Sequence, residues 1–110
     1  MIYFIAQGDE YVKIGYGGDP ESRLSQLQVG NPNELRIMAC FSGGQQEEEI
    51  LHSFWREVRV RGEWFEICDP LIDFIHILVG AKDIQEAIET LKASWVQQEA
   101  DVIPFPVTSA

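Results

Sequence analysis

The sequence predicts an α+β domain, with a small antiparallel or mixed three-stranded sheet flanked by helices. Alternating apolar residues near the start of the chain indicate strands, and later segments carry apolar residues at helical spacing. The chain has 110 residues, of which 45% are hydrophobic and 24% charged. This composition is typical of a globular domain with one modest core.

The first two strands are expected at residues 1–7 and 11–17, as a hairpin. We predict that Tyr3 lies opposite Lys13 across a three-residue loop, Gln7–Asp9, because this register keeps one face apolar. The apolar face then holds Ile2, Phe4, Ala6, Val12 and Ile14. The other face holds Tyr3, Ile5, Tyr11, Lys13 and Gly15, so that Tyr3 and Lys13 point the same way.

A capping residue followed by proline marks the first helix. Asp19 suits the N-cap and Pro20 the first helical position, and the pattern continues to about Gln28. Arg23 lies one turn before Leu27 on the same flank, so we expect its guanidinium to be carried toward the sheet.

Five further elements complete the predicted fold. They are a third, central strand at Glu34–Phe41, a helix from about Gln46 to Val58, a short strand or edge segment at Gly62–Ile67, an apolar helix at Asp69–Val79, and a final helix at about Asp83–Gln97.

Three regions are expected along the chain: a principal domain at 1–79, an appended helix at 80–97 and a flexible tail at 98–110. The appended helix carries apolar residues at helical spacing, namely Ile84, Ile88, Leu91 and Trp95. It is expected to serve in packing or in a homo-oligomer.

Charge and composition restrict the partners. The net charge of −10 opposes indiscriminate attraction to a polyanion, so any contact with nucleic acid must be local. The local basic cluster is Arg56, Arg59 and Arg61. The two cysteines, Cys40 and Cys68, are read as packing residues. The opening residues fit neither a signal peptide nor a spanning helix, so we expect a cytoplasmic protein with no membrane contact.

Four side-chain types suit attack on a phosphodiester: a tyrosine (Tyr3), an ammonium (Lys13), a guanidinium (Arg23) and a carboxylate. One carboxylate with water and phosphate oxygens is a plausible shell for Mg²⁺. The carboxylate comes from the run Glu47–Glu49. At about 100° per residue, Glu49 projects away from the apolar arc, Glu47 lies near its centre and Glu48 on its border.

Several segments together resemble the GIY-YIG nuclease superfamily. They are "IYFI", "VKIG", the later Arg23, and "EEILHSFWREVRVRGEWF", and the resemblance covers residues 1–79. It implies a small mixed sheet flanked by helices and single-metal hydrolysis of phosphodiesters in DNA, with Mg²⁺ or Mn²⁺.

The resemblance also implies roles for individual residues. Tyr3 would activate the attacking water and Arg23 would bind the scissile phosphate. Lys13 replaces the second signature tyrosine. Glu48 has the spacing of the metal ligand, with Glu47 as the alternative, and His52 would orient that carboxylate or contact phosphate.

The leading hypothesis is therefore a metal-dependent DNA endonuclease with Tyr3, Lys13, Arg23 and Glu48 as catalytic residues. Arg56, Arg59, Arg61 and His52 would contact DNA. The alternative is a non-catalytic module for nucleic-acid binding or protein assembly. The lysine substitution, the acidic charge and the lack of a counterpart to the family's late asparagine allow it, although Glu63 lies near that asparagine's place.

Overall fold

A computed structural model describes residues 1–99 of the chain, and their side chains as far as residue 94. From residue 100 onward the predicted tail lies outside the described residues. The elements, in chain order, are β1 (Ile2–Gln7), β2 (Tyr11–Tyr16), α1 (Pro20–Gln28), β3 (Leu35–Phe41), α2 (Gln45–Phe54), a 3₁₀ turn (Arg56–Val58), β4 (Arg59–Arg61), β5 (Trp64–Glu66), α3 (Asp69–Gly80) and α4 (Ile84–Glu99). The predicted α+β class is confirmed.

The described strands form one antiparallel sheet of five strands, in the order β3-β1-β2-β5-β4. The prediction of three strands was too low because β4 and β5 are only three residues long. The prediction of a central third strand was wrong, since β3 forms an edge of the sheet. Its burial agrees with that position, because Leu35 is the single fully buried residue of β3.

The predicted hairpin is present, but its register differs by two residues. Tyr3 lies opposite Gly15, and Ile5 opposite Lys13. The connecting loop therefore comprises residues 8–10, with Gly8 in the left-handed region at φ 60°. A shift of two residues leaves every side chain on its predicted face.

The two faces of β1 are both buried. The predicted apolar face is fully covered, with Ile2, Phe4, Ala6, Val12 and Ile14 each at 0% exposure. On the other face Tyr3 and Ile5 form a cluster with Leu35, and the side chains of Leu24 and Leu27 from α1 pack against it. This packing fixes α1 beside Tyr3.

The helix starts follow from their capping residues. The Asp19 side chain accepts a hydrogen bond from the backbone N–H of Ser22 at 3.1 Å, as expected of an N-cap. At the start of α2, the Glu47 carboxylate accepts a hydrogen bond from the backbone N–H of Gly44 at 2.8 Å. The predicted helix to Val58 was too long, because the chain leaves α2 after Phe54 and passes through the 3₁₀ turn into β4.

The chain divides into two units, Met1–Ile72 and Asp73–Ala110. The sheet, α1 and α2 belong to the first unit, which holds all of the candidate site. In the second unit the described apolar face of α4 is buried and consists of Ile84, Ala87, Ile88 and Leu91. The side chain of Trp95 lies outside the described residues, and a homo-oligomer through this helix stays a prediction.

Both cysteines are free. Cys68 is half-buried, but Cys40 is exposed on the edge strand β3, so its predicted packing role was wrong. Within residues 1–99, no helix has the combination of length and apolar character that crossing a membrane requires.

Candidate functional site

A polar cleft of about 370 Å³ opens beside the first hairpin. Its walls come from both strands of the hairpin, the loop into α1, the first turns of α1, α2, and the turn between β4 and β5. The residues lining it are Tyr3, Tyr16, Gly17, Gly18, Asp19, Ser22, Arg23, Gln26, Glu48 and Glu63. Three of the four predicted catalytic residues, Tyr3, Arg23 and Glu48, therefore meet in one cleft.

Tyr3 lies at the floor of this cleft and is 3% exposed. Its ring lies against Gly15, where a Cβ would approach the hydroxyl oxygen to 2.7 Å. Burial raises the pKa of the Tyr3 phenol above its ordinary value of 10.0, while a hydrogen bond from Arg23 and the positive charge of that residue oppose the rise. In the free protein Tyr3 is therefore neutral at pH 7.

Arg23 is the fourth residue of α1, at the end of its first turn, and is exposed. It lies close enough to the Tyr3 phenol to lower its pKa, and its Nη1 donates a hydrogen bond to the Gln26 side chain at 3.2 Å. Neither partner is a carboxylate. The guanidinium thus faces the cleft with its charge available to an anion.

Lys13 reaches the cleft through Glu63. The lysine is 7% exposed, and its Nζ lies 2.7 Å from Oε1 of Glu63, which lines the cleft. The ammonium also lies 5.8 Å from the centre of the Trp64 ring. A buried ammonium needs such a partner, because an unpaired charge in an apolar environment is strongly unfavourable.

Glu48 supplies a second carboxylate to the cleft and is 9% exposed. Burial raises the pKa of its carboxyl above the ordinary 4.5, and the negative charge of Glu63 adds to the rise. The alternative ligand, Glu47, is committed to capping α2, and the Gly44 N–H lowers the pKa of its carboxyl. The geometry therefore favours Glu48 over Glu47 as the acidic group of the cleft.

His52 lies one turn after Glu48 on α2. Its Nε2 is 2.8 Å from the backbone carbonyl of Ile14, and its ring meets the Phe65 ring edge-on, with centroids 5.1 Å apart. These contacts attach α2 to the sheet. A contact between His52 and DNA stays a prediction.

The predicted basic cluster is exposed along the 3₁₀ turn and β4, which forms the sheet edge opposite β3. One donor of the Arg59 guanidinium is already in use, because its Nε donates a hydrogen bond to the backbone carbonyl of Gly62 at 2.8 Å. Arg56 lies 3.9 Å from Glu57 in a weak, exposed pair. The cluster lies outside the cleft lining, on a surface that a phosphate backbone can reach.

Sequence reasoning missed two features of the cleft. Tyr16, at the end of β2, is 42% exposed and stands at its rim. The pairing of Glu63 with Lys13 was also missed, because the sequence pattern placed Lys13 on the face opposite the apolar one and did not show that this face is buried as well.

Within the part of the chain that the structure describes, no three His, Cys, Asp or Glu side chains are grouped so that they could hold a metal ion. A metal here would therefore depend on one or two carboxylates, completed by water and by substrate. Such a shell suits Mg²⁺, which keeps several of its waters when it binds to proteins.

The fold and the cleft define a small α+β domain whose local cationic groups are compatible with an interaction with nucleic acid. The family model of the T5orf172 domain matches residues 1–92, and the chain belongs to this family. The resemblance to the GIY-YIG superfamily was wrong as an assignment, because the matching family is a distinct one and no GIY-YIG model matches. No curated protein and no solved structure matches the chain.

Proposed function

We propose that this domain hydrolyses phosphodiester bonds in DNA with one Mg²⁺ or Mn²⁺ ion. The T5orf172 domain is associated with endonuclease-like proteins. The observation that carries the proposal is the convergence of Tyr3, Arg23 and Glu48 on one cleft, from β1, α1 and α2.

Arg23 binds the scissile phosphate in this proposal. Its guanidinium is exposed in the cleft and lies beside the Tyr3 phenol and the Gln26 side chain, both of them neutral, so a phosphate can bind to it as the anionic partner. The planar fork of N–H groups matches two phosphate oxygens at once, and its charge opposes the charge that builds up in the transition state.

Tyr3 orients the attacking water and accepts its proton. The phenol lies beside Arg23, which stabilises a phenolate by hydrogen bond and charge. Burial works against ionisation, so the base form is scarce near neutral pH. The Lys13 ammonium, held at the cleft wall by Glu63, adds positive charge near the reacting phosphate.

Glu48 holds the metal ion. The residue is nine-tenths buried and its carboxylate lies near the like charge of Glu63, and both features make the ionised form unfavourable without a cation. Carboxylate oxygens are the ligands that Mg²⁺ and Mn²⁺ prefer, so the donor chemistry fits. When bound, such an ion supplies Lewis-acid stabilisation of charge on the phosphate oxygens.

Arg56, Arg59 and Arg61 bind the DNA backbone away from the cleft. They form a local positive surface on a chain whose net charge is −10. Contacts of this kind position the duplex without reading its sequence.

Nicking of supercoiled plasmid tests the proposal. Wild-type protein, Glu48→Ala and Arg23→Ala would be compared with and without Mg²⁺, with Arg36→Ala as the control because Arg36 is exposed on the far edge strand β3. We expect metal-dependent nicking by wild type and the control, and a loss of about 100-fold in Arg23→Ala. Equal trace activity in all proteins would overturn the proposal, and DNA binding without any nicking would identify a binding module instead.

A further inference from the structure

We propose that Glu63 is a positioning residue, which holds the Lys13 ammonium at the cleft wall in the orientation that the reaction requires. This inference rests on the proposed function.

The Lys13–Glu63 pair is unusual for its burial. Lysine side chains normally extend into solvent, yet Lys13 is 7% exposed and points from β2 toward Glu63. The separation of 2.7 Å between Nζ and Oε1 is that of a charge-assisted hydrogen bond. The lysine therefore has one defined orientation.

Glu63 is itself held in place by the backbone. It follows Gly62, which adopts the left-handed conformation with φ 54° in the turn between β4 and β5. The carbonyl of Glu63 accepts a hydrogen bond at 2.9 Å from the N–H of Ile14, the residue next to Lys13. A short and rigid connection thus links the carboxylate to the strand that carries the lysine.

The ammonium of Lys13 has N–H donors that Glu63 does not use. An ammonium has three N–H donors, and one of them serves Glu63. Glu63 lines the cleft and its side chain is 39% exposed, so the pair lies at the boundary between the core and the cleft. In this proposal a phosphate bound in the cleft lies close to a pair whose cation is already desolvated and oriented, which is the condition for effective electrostatic catalysis.

Glu63 has one rival role, that of a second metal ligand beside Glu48. The two roles differ in the partner through which Glu63 acts. A positioning residue acts through Lys13, so its removal matters only while the lysine is present. A metal ligand acts independently of the lysine.

A double-mutant cycle separates the two roles. Nicking kinetics would be measured for wild type, Glu63→Gln, Lys13→Met and the double variant, with melting temperatures to confirm folding. We expect Glu63→Gln to lower kcat by ~10–100-fold with little change in KM, and to have less than ~2-fold further effect when Lys13 is already Met. Glu63→Asp, which keeps the charge, should recover part of the rate. Additive losses in the double variant would overturn the proposal.

A second measurement is independent of activity. The ammonium of Lys13 should give a lysine side-chain NMR signal protected from exchange with water in wild type, and Glu63→Gln should abolish it. The matched control is Glu66→Gln, a conservative change at an exposed position of β5. A signal that persists in Glu63→Gln overturns the inference. A wild type that shows the protected signal but no nicking overturns the proposed function and leaves the Lys13–Glu63 relationship established.

Discussion

Tyr3 and Gly15 face each other across the first hairpin, and a Cβ on Gly15 would lie 2.7 Å from the Tyr3 hydroxyl oxygen. The same ring belongs to the cluster against which Leu24 and Leu27 of α1 pack. The glycine therefore leaves the space that the tyrosine ring occupies, and the ring in turn supports the helix that carries Arg23.

Replacement of Gly15 by alanine should displace the Tyr3 ring. We expect a loss of stability of about 1–3 kcal/mol, as for other overpacked sites, together with a loss of nicking. Thermal unfolding and plasmid nicking measure the two effects. Gly80→Ala is the control, since a Cβ on Gly80 meets no atom within 4 Å. If Gly15→Ala melts and nicks like wild type, the ring does not depend on this glycine.

The faces of this hairpin could be predicted from sequence, but its register could not. Alternation has a period of two residues, so it assigns each side chain to a face and is blind to a shift of two. The true register follows from the fit between the Tyr3 ring and Gly15 and from the positive φ of Gly8. Neither is visible in a hydrophobic pattern.

The candidate site, too, could be predicted from the sequence only in part. Helical geometry on α2 separated Glu48 from its neighbours, and the structure places that residue in the cleft. The strand β4 could not be predicted from alternation of buried and exposed residues, since all three of its residues are exposed. The sequence could not identify Glu63 as the partner of Lys13, because only the pairing of β5 with β2 brings Glu63 near the lysine.

Glu48 should cost the protein stability at neutral pH. Burial, together with the charge of Glu63, raises the pKa of its carboxyl in the folded state above the ordinary 4.5. The folded protein then binds more protons than the unfolded chain between 4.5 and the raised pKa, so stability falls as the pH rises through that window.

We therefore expect Glu48→Gln to melt above wild type at pH 7 and to lose this advantage as the pH falls toward 4.5. A gain of about 1 kcal/mol would raise Tm by roughly 4–8 °C in a domain of this size. Glu49→Gln, an exposed neighbour on the same helix, is the control and should melt like wild type. Equal Tm values for Glu48→Gln and wild type across the pH range would show that the ionised Glu48 carboxylate does not destabilise the folded protein.

Metal binding should offset the unfavourable free energy of the buried Glu48 carboxylate. We expect Mn²⁺ to raise the Tm of wild-type protein, because a cation beside Glu48 compensates the charge that burial disfavours. The shift should vanish in Glu48→Gln and persist in Glu49→Gln. A shift of the same size in both variants would place the ion elsewhere on this acidic chain.

The rate of nicking should rise with pH above neutrality. If Tyr3 accepts the proton of the attacking water, only its ionised fraction is active, and burial raises the pKa of the phenol above 10.0. The rate should therefore increase by up to about tenfold per pH unit while the protein stays folded. Tyr3→Phe should remove both the activity and its pH dependence, whereas Tyr11→Phe, on the same hairpin, should retain both. A flat profile in wild type would exclude Tyr3 as the base.

The edge arginines should control how DNA affinity depends on salt. Each phosphate neutralised by an arginine releases counterions, so the slope of log K against log salt falls by about 0.9 for each contact that is lost. Arg56 and Arg61 would be replaced together by alanine, while Arg59 is kept because it also holds the carbonyl of Gly62. Binding is measured by fluorescence anisotropy in EDTA, so that cleavage does not interfere.

We expect the double variant to bind more weakly and to lose up to about 2 units of slope. Arg36→Ala provides the matched control, since Arg36 is an exposed arginine on β3, at the opposite edge of the sheet. The comparison separates a local contact from a general effect of net charge, because removing Arg36 also makes the chain more acidic. Similar losses of affinity per arginine in the two variants would show that DNA does not lie along β4. A loss of affinity only on replacement of Arg56 and Arg61 would place the duplex along that edge.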